Sequence, residues 1–189
     1  MLVLSLLAAL TACTTTPDAI SSSEQLLIQP PAGWKQVYQF NNSETRLADF
    51  VPPDESALIW QEKLSLESHA RLKTTDPIEI LLAEVRRLQD TCTFVQHFNL
   101  FAGLENDYPT SVRLIMCGEN RSLAKGEVSL NKAIQGEDYL YIIRLTRRVP
   151  PFEPHQPEVR DEEVADWATF MQRVSLCNPD RGNAHPCPQ

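Results

Sequence analysis

Apolar and polar positions alternate along most of the chain, and in two stretches the period lengthens to that of a helix. Trp34, Gln36, Tyr38 and Phe40 share one face of a period-two segment, which predicts a strand over 34–40. Asn41-Asn42-Ser43 reads as a turn and 45–51 as the returning strand of a hairpin. Pro52-Pro53 closes it, because proline lacks the amide that a ladder needs. The next predicted strand covers 58–67, with Leu58, Trp60, Leu64 and Leu66 on one face. Asp76-Pro77 then opens a helix, Asp as the cap and Pro in the first turn. Ile78, Leu81, Leu82, Val85 and Leu88 repeat at helical spacing, and Arg86 and Arg87 suit its C-terminal dipole.

Strands are predicted over 92–98 and 110–117, joined by a loop that carries Gly103, Asn106, Asp107 and Pro109. A clear hairpin follows: 126–134, the turn 135–138, and 139–147 with Tyr139, Tyr141, Ile143 and Leu145 on one face. Pro150-Pro151 stops it. The PPFEP segment at 150–154 reads as a stiff exposed loop, a recognition element or a flap over the core. A second helix is predicted over 161–176, its stripe formed by Val164, Trp167, Ala168, Met171 and Val174. The order is three strands, helix, four strands, helix. It predicts an α+β fold, a mostly antiparallel sheet of six to seven strands with two main helices packed on it.

Composition narrows the class. The chain has 189 residues, enough for one domain and a tail. It carries 17 basic and 25 acidic residues, a formal charge of −8, which argues against a nucleic-acid partner. Residues 1–12, MLVLSLLAALTA, hold no charged side chain, and the apolar run is too short to span a bilayer. It fits the hydrophobic region of a secretory signal. Leu10-Thr11-Ala12-Cys13 resembles the lipobox of bacterial lipoproteins, a family in which the Cys is acylated and the chain is cut before it. The resemblance implies a lipid on Cys13 as the membrane anchor. Thr14, rather than Asp, after the Cys points to the periplasmic face of the outer membrane. No Lys or Arg precedes the apolar run, a departure from the pattern that a start a few residues upstream would remove. Residues 13–31 then read as the lipidated Cys and a tether, with Leu26-Leu27-Ile28 as an optional edge strand. The folded domain is 32–176, and 177–189 is a tail.

Five cysteines occur: Cys13, Cys92, Cys117, Cys177 and Cys187. With Cys13 lipidated, four remain, an even number that suits an oxidising compartment and allows three pairings. The favoured one is Cys92–Cys117 with Cys177–Cys187. The first follows if Cys92 faces Cys117 in a hairpin that sets Phe94 opposite Ile115 and Phe98 opposite Ser111. The second is a local staple.

Gly33-Trp34, FVPPDESALIWQEKLSLES at 50–68, Met116-Cys117-Gly118 and GEVSLNKAIQGEDYLYIIRLTRR at 126–148 together form a pattern. It resembles that of a family of uncharacterised proteobacterial envelope proteins. Asp54 stands where that pattern has Gly. The order of elements is also similar to the Mog1/PsbP-like α/β sandwich. No catalytic residue set comes with either resemblance.

Candidate chemistry is sparse. His69, His97, His155 and His185 are far apart in sequence, and no metal motif, nucleophile elbow or phosphate loop is present. Neither a metal nor a cofactor is expected. Asp54-Glu55, Glu137-Asp138 and Glu162-Glu163 read as turn formers and caps. Glu62 stands out, because strand alternation places it beside Trp60 and Leu64. A buried carboxylate needs a partner, which Arg113, Lys132 or Arg144 would supply as an ion pair or as the polar floor of a cleft. Lys125, Lys132, Arg144, Arg147 and Arg148 read as a solvated basic face. The expected role is a non-catalytic, lipid-anchored interaction or accessory module in an envelope assembly with a protein partner. The alternative is a carrier or sensor of a small apolar ligand held between sheet and helix.

Overall fold

The computed structural model describes residues 23–154, 156 and 159–188. The leader over 1–12, Cys13 and His155 lie outside the described residues. Eleven main elements follow one another. They begin with β1 (Gln25–Leu27), β2 (Lys35–Asn41), β3 (Thr45–Val51), β4 (Glu62–His69) and α1 (Pro77–Gln89). Then come β5 (Val95–Glu105), β6 (Tyr108–Asn120), β7 (Lys125–Gln135) and β8 (Leu140–Val149). The last are α2 (Asp161–Arg173) and β9 (Ser175–Cys177). Seven strands form one antiparallel sheet in the order β2-β3-β4-β8-β7-β6-β5, and β1 pairs with β9 in a small second sheet. The fold is α+β.

Register divides the sheet into two unlike faces. Phe50, Leu64, Leu145, Leu130, Leu114 and Phe98 lie side by side across six strands. One residue along, Asp49, Ser65, Arg144, Asn131, Arg113 and Asn99 form the adjacent row, all polar. Successive side chains point to opposite faces, so the first row builds an apolar face and the second a polar stripe behind it. Helix α2 covers the apolar face, where Met171, Val174 and Leu176 join Leu130, Ile143 and Leu145 in the main core. Helix α1 covers the other face beyond the stripe, with Val85 and Leu88 against Cys92, Ile115 and Cys117. Asp76 caps α1 by accepting from the Ile78 amide at 2.7 Å.

Several predicted boundaries move. The strand expected over 58–67 begins at Glu62, because the Glu55 carboxylate takes the amides of Gln61 (2.8 Å) and Glu62 (3.2 Å) and bends the chain before it. Helix α2 ends at Arg173, with Val174 already extended, and the next three residues form β9. The loop expected between β5 and β6 is a two-residue turn at Asn106 and Asp107, whose φ values are 49° and 63°. Such values select a type I′ hairpin. Gly103 and Pro109 therefore pair in the ladder, opposite Thr110 and Leu104.

The longer hairpin also changes the register. Cys117 faces Val95, Cys92 faces Asn120, and Phe98 faces Leu114. The Cys92–Cys117 disulfide thus runs diagonally, with Cα atoms 5.6 Å apart, and Cys177 is bonded to Cys187. From Ser23 onward the stretch read as tether has fixed partners. Ser23 donates to Asn178 at 2.9 Å, and Glu24 is buried against the β7–β8 turn. The tail folds back too: His185 stacks on Tyr108 at 3.9 Å between ring centroids.

Candidate functional site

Strand alternation decides where the predicted polar residues go. Glu62 and Lys132 point to the apolar face, Arg113 and Arg144 to the polar stripe, so the four do not form one site. Glu62 is partly exposed and lies 3.8 Å from Arg147. That arginine is in closer contact with Glu163, one of three acids in the first turn of α2. Lys132 is fully buried, joined to Glu105, and donates to the Met171 (2.9 Å) and Val174 (2.7 Å) carbonyls. It closes the C-terminus of α2, where carbonyls lack helical partners. Arg144 donates to Glu67 at 2.8 Å and to Asn131 at 2.9 Å. Arg113 is buried and bonds the His97 ring at 2.8 Å.

A cleft of about 210 Å³ opens on the polar stripe beside α1. Its charges neutralise one another: Arg144 with Glu67, Arg87 with Glu84, Arg148 with Glu127, and Lys63 with Asp49. Burial works against the Glu84 carboxylate, but its hydrogen bond to Arg87 and the charges of Arg144 and Arg87 overcome that, and its pKa lies below the ordinary range. The expected basic face does not form: Arg144 and Arg148 belong to these pairs, while Arg147 and Lys132 point to the opposite face and pair with Glu163 and Glu105.

The apolar face holds a larger opening. Between α2 and the segment that leads from β1 to β2 lies a groove of about 1010 Å³. Its walls include Ile28, Trp34, Leu145, Trp167 and Phe170, and Glu62 also lines it. Such a volume and lining suit a ligand of drug or lipid size. Burial pushes the Glu62 carboxyl above its ordinary range; Arg147 opposes this, while Glu55 and Glu163 add to it. One wall depends on a latch at residue 24. Glu24 accepts from the Glu137 amide, from the Asp138 amide at 3.2 Å and from the Tyr141 hydroxyl at 3.1 Å. Sequence reading missed this latch; the acid before an apolar triplet was its only signal.

The loop between β3 and β4 carries a third feature. Leu58 is 90% exposed and Ile59 80%. The loop is braced: Ser56 donates its amide to the Ile59 carbonyl at 2.9 Å, and Glu55 holds the strand start as described. Trp60 lies between cations, 3.6 Å from Arg148 and 4.7 Å from Lys63. The expected common face of Leu58, Trp60 and Leu64 does not form, because the strand starts only at Glu62. PPFEP packs over the core edge, with Phe152 edge-on to Phe94 at 5.7 Å.

Among the described residues no three His, Cys, Asp or Glu side chains are grouped so as to hold a metal ion. No described helix is long and apolar enough to cross a membrane. No protein-family model matches the chain, and no curated protein matches it. Among solved structures the chain is similar to that of LpqN, involved in cell envelope biogenesis of Mycobacterium tuberculosis. The TM-score is 0.38 and the identity 10%, over 82% of this chain and 84% of that one. At that distance no residue role is carried across.

Proposed function

We propose that this chain is a non-catalytic binding module of the bacterial envelope. It is held by lipid on Cys13 at the periplasmic face of the outer membrane, and it serves as an accessory to an envelope assembly. The observation that carries this reading is the braced apolar tip at Leu58 and Ile59. Leu58 and Ile59 line one hollow with Leu123, which is also exposed, and a contiguous exposed apolar patch marks contact surfaces. The tip also lies at the far end of the sheet from Glu24, where the described chain begins its packing. It neighbours Lys125 and Val149, whereas Glu24, the entry from the anchor, sits on the turn after Gln135. Strand β7 separates the two ends by its 11 residues, about 35 Å at the usual rise. A domain tethered at one end presents the other to the periplasm.

Crosslinking in intact cells through the full lipidated chain, then purification and mass spectrometry, tests the reading. One envelope protein recovered in near-stoichiometric yield is expected. The chain recovered alone at native expression overturns it.

A second reading is favoured by the groove. Its volume of about 1010 Å³ and its aromatic walls fit a carrier or sensor of a small apolar ligand between sheet and helix.

A further inference from the structure

The groove is apolar along its length but acidic toward one end. Glu62 lines it, and the groups around Glu62 are mainly negative. Glu55 lies before it in the chain, with its carboxylate on the Glu62 amide. Glu163 stands across on α2, and Asp166 lines the same groove. The nearby cations are already engaged. Arg147 contacts Glu163 more closely than Glu62, and Arg160 lies 3.5 Å from Glu163. Arg173, the groove's other charge, belongs to the opposite end of α2, which keeps it from neutralising Glu62.

Trp34 and Trp167 line the same groove. Indole faces attract ammonium groups through the ring quadrupole, and a carboxylate beside them completes that chemistry. The rest of the wall, with Ile28, Leu145 and Phe170, offers a surface for an alkyl chain. We infer that the groove binds an amphiphile with an ammonium head, the head at Glu62 between the indoles and the alkyl chain along α2. The inference rests on the ligand-carrier reading above and adds the head group.

The test uses the full chain with both disulfides intact and follows tryptophan fluorescence. Dodecylamine, dodecyltrimethylammonium, dodecanol and dodecanoate are titrated below their micellar concentrations. The two ammonium probes are expected to bind about tenfold more tightly than the alcohol, the effect of one charged contact. Glu62→Gln is expected to remove that preference while dodecanol affinity stays within about twofold, which also shows the groove intact. A lysophosphatidylethanolamine that binds more tightly still supports the inference and points to an aminolipid as the source of the head. Equal binding of alcohol, carboxylate and amine overturns the ammonium head and leaves the apolar carrier standing. Binding of none of the probes overturns both.

Discussion

Lys132 is a charged side chain buried completely within the apolar face. Fully buried cations are costly unless they are bonded on all sides, and this one joins Glu105 and two carbonyls at the end of α2. Lys132→Met keeps the volume but removes the donor shared by Glu105 and the Met171 and Val174 carbonyls. The expected loss is about 1–3 kcal/mol by urea unfolding; an unchanged midpoint contradicts the capping role. Sequence pattern marked Lys132 as noteworthy but gave it the wrong partner. Period two assigns a face, yet Glu105 and α2 reach Lys132 only through the tertiary fold.

Glu62 behaves differently. Burial holds its carboxyl above the ordinary value of 4.5. The folded state then binds this proton more tightly than the unfolded chain. Its contribution to stability is complete below the unfolded value and is lost as the pH rises through the folded one. Glu62→Gln stays neutral throughout. The variant is expected to match the wild type near pH 4 and to exceed it in urea midpoint near pH 7. A variant less stable at neutral pH shows instead that Arg147 holds Glu62 as a true ion pair.

At the scale of elements, seven main strands and both helices were legible from alternation, helical stripes and caps. The errors came where side chains redirect the backbone. Glu55 delays β4 by capturing two amides, and Asn106-Asp107 closes a tight hairpin that lengthens β5 and shifts its register. An Asn-Asp pair tolerates positive φ, so that turn was readable in principle. The β1–β9 pairing was barely legible, because three residues carry little periodicity and the pairing joins the two ends of the chain.

Gly136 makes the latch on β1 testable. A Cβ there lies 2.6 Å from a Glu24 carboxylate oxygen and 2.8 Å from the Tyr139 carbonyl. Gly136→Ala is expected to expel Glu24 and to free residues 24–31, seen as faster amide exchange there with β6–β8 still protected. Uniform loss of protection contradicts a local latch. The diagonal disulfide closes a loop of 25 residues. Replacing Cys92 and Cys117 together by Ala is expected to cost about 3–4 kcal/mol in the loop-entropy model. A loss well under this range points to a denatured state already compact in that region.

On the scale of the whole molecule, the sheet sets three surfaces apart. The cleft on the polar stripe beside α1 is self-neutralised, the groove beside α2 is largely apolar with an acidic end, and the Leu58-Ile59 tip stands at the end of the sheet remote from Glu24. Composition and the LTAC motif bear on the envelope and the anchor, and the element order allows a cleft between sheet and helix, but neither the walls of the groove nor the tip were legible. The groove arises from how loosely α2 and the leading segment cover one face. The tip was read as part of a buried strand, since alternation alone cannot tell an exposed loop from a core strand.

A photo-crosslinking amino acid placed at position 59, and for comparison at position 137 beside Glu24 at the opposite end of the sheet, tests the binding-module account most directly. With the full lipidated chain in living cells, position 59 is predicted to give one discrete protein adduct and position 137 little or none. No adduct from position 59, or an equal yield from both positions, would contradict the account.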